Sequence, residues 1–300
     1  MIPTRNDGYG KIDNYTLNDR AIFCINSAIK EYDEVILVDW NSPTHPLLWD
    51  IKDCIEFKGN LKHIIIQPEI AKVLTNNDPD AAVCCEVLSR NIGIRKLINT
   101  MDWVISTNID IIAPKRNELE ELIIDKLDQN TFYTISRRPV DWSIISKFFK
   151  DNNIQHRNEK DLSFKDWPLL RDFLTSQSEE RHYVESVVKG DDYSIVNCCG
   201  DFQLAHKHVW TTIKGFEEDL IYVLYSDTNV QKKAKMHGFG LKALYSPPLF
   251  HINHGKGGGG FLDGINKKVN DINRAVIFQH YTQNEDTWGF SNIEIEYETM

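Results

Sequence analysis

No stretch of this 300-residue chain approaches the roughly 20 apolar residues that a bilayer-spanning helix requires. The opening residues Met1-Ile2-Pro3-Thr4-Arg5-Asn6 also lack the apolar segment of a signal peptide, so the expectation is a soluble, cytoplasmic protein. Basic charge is scarce: 34 Lys and Arg stand against 44 Asp and Glu, giving a formal charge of -10 and a pI near 5.5. That balance disfavours a nucleic-acid surface, which concentrates Lys and Arg. The six cysteines, Cys24, Cys54, Cys84-Cys85 and Cys198-Cys199, never take C-x-x-C spacing, and read as buried reduced thiols rather than zinc or redox ligands. No G-x-G-x-x-G follows a strand, which removes most support for a nicotinamide or flavin site, and no G-x-x-x-x-G-K-[ST] exists. His254-Gly255-Lys256-Gly257 is glycine-rich but lacks the Walker spacing and its magnesium-binding hydroxyl. Internal repeats are absent, and the only low-complexity segment, Gly257 to Gly260, reads as a mobile loop.

What is present can build a large interior. Hydrophobic residues make up 41% and aromatics 11%, with seven Trp and fourteen Phe, which argues against disorder and for a single α/β enzyme domain with an appended lobe. Glu34 to Asp39, His63 to Ile66 and Trp103 to Ser106 read as buried strands. Between them lie helical patterns over Asn18 to Lys30 and through Val83, Val87, Leu88, Ile94, Leu97 and Ile98. Strand and helix in alternation predict a mostly parallel sheet with helices on both faces. Glu118 to Leu127 reads as a surface helix, Thr131 to Ile135 as a strand, and residues 137–192 as an insertion or lid with two short helices. A helix ending before Gly215 and another from about Thr228 to His237 follow.

The most informative stretch is Trp103 to Pro114, where an apolar strand runs out into an isolated carboxylate, Asp110. An enclosed charge needs a cation or several donors, or else caps the turn at Pro114. Asn108 can place its carbonyl beside the same ligand. Far along the chain, Phe250-His251-Ile252-Asn253-His254-Gly255 offers two imidazoles. Three residues apart in an extended segment they face opposite ways, so one ligand is expected; His254 is favoured by the glycine after it, and His251 then reads as a core histidine. Together these residues suggest a split site for a divalent ion carrying a diphosphate.

Other polar residues have both a binding and a structural reading. Pro3 to Gly10 can turn backbone N–H groups toward an anion, with Arg5 on a phosphate and Asn6 or Tyr9 on a base, or be a simple Asn-Asp-Gly turn. Asp39 can accept from a nucleobase imide or ribose hydroxyls, or cap the turn Asn41-Ser42-Pro43. Arg90 can reach a diphosphate with bidentate geometry, or face solvent beside Glu86. Ser226-Asp227-Thr228-Asn229 looks like a helix N-terminus whose dipole lowers the Asp227 pKa, suiting a carboxylate that takes a proton from a hydroxyl, or serving as a cap alone.

In order along the chain, Pro3-Thr4-Arg5-Asn6-Asp7-x-Tyr9-Gly10, Glu34 to Pro43, Arg90-Asn91-x-Gly93, Asp102-Trp103-Val104-x-x-Thr107-Asn108-x-Asp110, Gly200-Asp201-Phe202-Gln203 and Gly215-Phe216-Glu217-Glu218 resemble the signatures of GT-A fold glycosyltransferases near the family 2-like group. The resemblance implies a GT-A, nucleotide-diphospho-sugar transferase fold over residues 1–255, with residues 256–300 as a loop and tail packing on the same domain. It implies Thr4, Arg5, Asn6 and Asp39 for the nucleoside. Arg90, Asn108 and the His254 loop with Lys256 fall to the donor diphosphate, and Asp110 with His254 or His251 to Mn2+ or Mg2+. Only the last carboxylate of the family's D-x-D element is kept, as Asn108-Ile109-Asp110. Asp227 becomes the base of an inverting displacement, with a nucleoside-diphosphate sugar as donor and a glycan or glycoprotein hydroxyl as acceptor. Asn284 to Gly289 resembles a tail motif seen beside such domains. The competing expectations are a nucleotidyltransferase that makes nucleotide sugars and a noncatalytic glycan-binding module.

Overall fold

A computed structural model describes residues 1–10, 16–56, 59–125, 127–152, 167–177, 200–222, 226–254, 283–293, 295 and 297–299. Three parallel strands come first, β1 (Ile2–Thr4), β2 (Val35–Trp40) and β3 (Leu61–Ile66), paired in that order with Thr4 opposite Asp39. Between β1 and β2, helix α1 (Leu17–Glu31) is started by a reciprocal cap in which Thr16 Oγ1 accepts from Asp19 N–H and Asp19 accepts from Thr16 N–H. Its residues Ala21, Ile22, Ile25, Ala28 and Ile29 pack into the core. β2 is buried along its whole length, as its continuous apolar run requires of a central parallel strand. Helices α2 (Leu47–Ile51) and α3 (Pro68–Leu74) follow β2 and β3, and α4 (Glu86–Leu97) leads into β4 (Trp103–Thr107).

The second half is built differently. β5 (Ile111–Ile112), α5 (Arg116–Asp125), β6 (Thr131–Val140), α6 (Trp142–Asp151) and α7 (Trp167–Gln177) precede β7 (Phe202–His206), α8 (Lys207–Ile213), α9 (Ser226–Met236) and β8 (Gly240–Ile252). The strand order is β4-β7-β6-β8-β5, and β4/β7, β7/β6 and β8/β5 are antiparallel. The expected mostly parallel sheet is therefore corrected to a mixed one. Helical crossovers make the parallel half legible as an alternation, whereas the antiparallel pairs join segments distant in sequence. Met1 N–H donates to Ile105 O at 2.6 Å and Met1 O accepts from Thr107 N–H at 3.1 Å, so the residue before β1 is tied to β4 and links the two sheets. A short antiparallel strand, β9 (Tyr297–Thr299), adds to β3.

The segment expected to be irregular from residue 137 instead begins as strand, since β6 runs on to Val140. Opposite it, β8 skips from Leu244, paired with Ile135, to Leu249, paired with Arg137. Pro247 and Pro248 fall in the gap; neither can donate to a ladder, so the strand must deform there. Helices α6 and α7 pack Ile145, Phe148, Phe149, Leu170 and Leu174 against Phe23, Ile112 and Phe250. The tail motif docks against α4 through the buried Trp288, over which the Arg95 guanidinium lies at 4.9 Å. Cys24, Cys54, Cys84 and Cys85 are in no disulfide; Cys198-Cys199 and the Gly257 to Gly260 run lie outside the described residues. Among the described residues no helix is long and apolar enough to cross a membrane.

Candidate metal centre and the rim around it

The C-terminal ends of β1, β2 and β4 open on one edge, the place where open α/β sheets gather ligands. β4 delivers Asp110 there, just before β5. The β5/β8 ladder sets Ile111 opposite His251, and Ile252 N–H donates to Asp110 O at 2.9 Å, so the end of β8 is tied to this carboxylate's own backbone. His251 Nε2 lies 3.5 Å and His254 Nε2 3.0 Å from Asp110 Oδ2. The expectation that one imidazole alone would face the site is corrected: β8 ends at Ile252, so the alternation of an extended strand no longer governs His254. One ligand atom from each of the three residues lies within 4.8 Å of the others, a cluster able to hold a metal ion.

Burial pushes the Asp110 carboxyl up, but the charges and hydrogen bonds of His251 and His254 outweigh it and hold Asp110 well below the usual carboxylate range. His251 moves oppositely: burial lowers it, and Asp110 more than compensates, raising it above an ordinary imidazole. Asp110 Oδ1 is buried without a hydrogen-bond partner. An orphaned carboxylate oxygen beside two imidazoles fits a divalent cation, which would satisfy it. Two nitrogen donors suit transition ions such as Mn2+ better than Mg2+, which prefers an all-oxygen shell.

Next along the rim stands a network that sequence reading only partly anticipated. Arg90 is 1% exposed, which excludes the solvent-facing alternative. It donates to Ser106 Oγ at 2.6 Å, to Glu86 Oε2 at 3.2 Å and to Asn108 Oδ1. Asn108 in turn donates to Asp201 Oδ1 at 2.8 Å, and Arg137 donates to Asp201 Oδ2 at 2.6 Å. The Asn108 side chain is thus engaged by Arg90 and Asp201. Asp201 and Arg137 both act electrostatically on His251, which makes this network continuous with the metal cluster.

Asp227 borders the same network. A Cβ on Gly200 would lie 3.3 Å from Asp227 Cβ and 3.7 Å from Arg90 Nη2, so the two side chains converge there. Asp227 Oδ1 accepts from Thr228 N–H at 2.9 Å in the first turn of α9. The expected lowering of its pKa is reversed. Burial pushes the carboxyl up to about 6; the Thr228 amide and Arg90 oppose the rise, and Glu86 and Asp201 add to it. Glu217 and Glu218 turn elsewhere, to Asn229, Asn91 and the Gly289 amide.

The residues expected at the nucleoside cluster beside β2. Thr4 is buried, Arg5 Nε donates to Asn41 O at 2.9 Å, and Asn6 donates to Ser42 Oγ at 2.8 Å, His45 O at 3.2 Å and Asp50 Oδ2 at 2.8 Å. Asp39 accepts from Ser42 Oγ and from Leu47 N–H at 2.7 Å. Burial raises it to about 6 against the pull of Ser42, Leu47, Arg5 and His45. Lys256 lies outside the described residues. Sequence reading missed Arg137, whose only signal was a charged pair closing an apolar strand, and Arg20, a charge inside the apolar stripe of α1.

No family model matches the chain, and no curated protein matches it. Among solved structures it is similar to the mannosyltransferase PcManGT from Pyrobaculum calidifontis, in complex with GDP-Man and Mn2+. The identity is 14% and the TM-score 0.45, over 83% of this chain and 55% of that one. So remote a likeness leaves the chemistry to this chain's own side chains.

Proposed function

We propose that this chain is a metal-dependent glycosyltransferase that moves a sugar, with inversion, from a nucleoside-diphosphate sugar to a hydroxyl of a glycan or glycoprotein. The observation that carries the reading is the orphaned Asp110 oxygen between two imidazoles, on the same rim as a carboxylate raised to about 6. In this reading Asp110, His251 and His254 hold a divalent cation, Mn2+ in preference to Mg2+ because two of the donors are nitrogen. Bound there, the cation supplies Lewis-acid neutralisation of the departing diphosphate. Arg90 and Arg137 add fixed positive charge beside it, Asn108 keeps both in register through Asp201, and Lys256 joins from the segment after His254. Thr4, Arg5, Asn6 and Asp39 form the nucleoside end of the donor site.

Asp227 is the base. It takes the acceptor hydroxyl's proton as the new bond to the anomeric carbon forms and the bond to the diphosphate breaks. A carboxyl near 6 is ionised at neutral pH and yet basic enough to accept that proton, whereas a carboxylate at its ordinary value is a weaker base. The transfer rate then rises with pH through about 6, since only the ionised form accepts the proton. Transfer from a panel of nucleoside-diphosphate sugars, with Mn2+ and with Mg2+, tests this. Asp227→Asn is expected to lower kcat by about 10²- to 10⁴-fold and to lose the rise near 6 while donor binding persists. Wild-type turnover by that variant removes the base assignment, and failure of every nucleoside diphosphate to bind removes the activity.

A further inference from the structure

Arg20 is fully buried, on the side of α1 that also buries Leu17, Ala21 and Cys24. Its guanidinium donates to Gly10 O at 2.8 Å and Tyr9 O at 2.6 Å; its Nε has no hydrogen-bond partner, and among the described residues it makes no ion pair. A lysine would offer a point charge where this site uses a planar fork across two successive carbonyls. What the fork fixes is the peptide between Tyr9 and Gly10.

That peptide is the backstop of one metal-cluster imidazole. The Tyr9 ring meets the His254 ring edge-on at 5.0 Å between centroids. Gly10 lies against the far side of the same ring: a Cβ there would stand 2.8 Å from His254 Nδ1 and 3.0 Å from its Cγ, and also 2.8 Å from Arg20 Nη2. The opposite ring nitrogen, Nε2, is the one that faces Asp110. His254 lies beyond the end of β8, so its ring is placed by side-chain contacts, with Asp110 and His251 on one side and Tyr9 and Gly10 on the other.

We propose that Arg20 is a positioning residue for the metal centre: by locking the Tyr9 and Gly10 carbonyls it builds the wall that holds the His254 imidazole toward Asp110 for a divalent cation. The inference rests on the metal-site reading above. Two glycines make a controlled test, because Gly8 and Gly10 share the left-handed backbone, with φ of 72° and 73°, but only Gly10 has anything within 4 Å of an added Cβ. Both alanine variants therefore put a Cβ on a residue of positive φ. Mn2+ titration of the full chain, followed by the electron paramagnetic resonance of the free ion, is expected to show Gly10→Ala binding about 10- to 100-fold more weakly, with Gly8→Ala at the wild-type value. Arg20→Lys, which keeps the charge and loses the fork, is expected to weaken Mn2+ similarly. The visible spectrum of bound Co2+ should change in Gly10→Ala and Arg20→Lys but not in Gly8→Ala, a signature that general destabilisation does not produce. If wild type binds Mn2+ while Gly10→Ala matches Gly8→Ala, the positioning role is overturned and the metal site stands. If wild type binds no divalent cation, the metal reading falls and this one with it.

Discussion

Two aspartates on the same rim part ways. Asp39 near the end of β2 and Asp110 after β4 are both nearly sealed from solvent, at 1% and 7% exposure. Asp39 has each oxygen met by its own loop, through Ser42 and Leu47, and burial lifts it to about 6. Asp110 shares one oxygen between two imidazoles, leaves the other without a partner, and is held below the carboxylate range. The first is closed by local structure, the second by residues more than a hundred positions away. A carboxylate at the end of a parallel strand is thus an invitation to a ligand only when its lone pairs are left open.

The hardest test of that contrast is to neutralise each in turn. Asp110→Asn is expected to weaken Mn2+ by more than about 100-fold, beyond what an outer-shell partner typically costs. At about 100 times its Kd, Mn2+ should stabilise the wild type by about 2.7 kcal/mol, an increment cut to about 0.4 kcal/mol or less in Asp110→Asn and retained in Asp39→Asn. Thermal unfolding with Mn2+ and with a chelator measures it. Equal losses in the two variants would erase the distinction.

Much of the parallel half could be read from the chain. Buried runs such as Val35–Trp40, capped helices such as α1 and the carboxylates where β2 and β4 run out are all local signals. The mixed half was less legible, because the pairing of β4 with β7 and of β6 with β8 joins segments with no shared local pattern. The types of the metal-cluster residues were visible in the sequence, but not that both imidazoles would converge, which depends on where β8 ends. Asp227 shows the same limit. Its helix position is written in Ser226-Asp227-Thr228, whereas the burial that raises it, and the neighbours Glu86 and Asp201 that add to the rise, arrive through the fold.

A smaller effect separates the two aspartates by pH. With a native value near 6 and an ordinary value of 3.8, Asp39 binds its proton more tightly folded than unfolded. Its contribution to stability therefore falls as pH rises from about 4 to 6, by on the order of 3 kcal/mol, and is flat above. Asp110, depressed in the folded state, acts in the opposite sense and loses stability as pH falls. Urea unfolding of Asp39→Asn between pH 4 and 7 should lack the Asp39 slope, so its stability relative to wild type improves across that window. A difference that does not vary with pH would mean that Asp39 titrates as it does in the unfolded chain.

The smallest expected change comes from Ser42→Ala, which leaves both aspartates in place and removes one donor from Asp39. The Ser42 hydroxyl donates to Asp39 and accepts from Asn6 N–H, so its loss also frees the loop that carries Arg5 and Asn6. A hydrogen bond to an ionised acceptor is worth about 2 kcal/mol and one to a neutral acceptor about 1 kcal/mol. Ser42→Ala should therefore cost more stability at pH 7.5, where Asp39 is ionised, than at pH 5, where it is largely protonated. Because this hydroxyl is one of the groups lowering Asp39, its removal should also carry the upper edge of the Asp39 slope to higher pH. Mn2+ affinity should not move, since nothing Ser42 touches belongs to the Asp110 cluster. Equal losses at the two pH values would show that the carboxylate beside Ser42 has the same charge at both, and the closed aspartate would then differ from the open one in its partners but not in its proton.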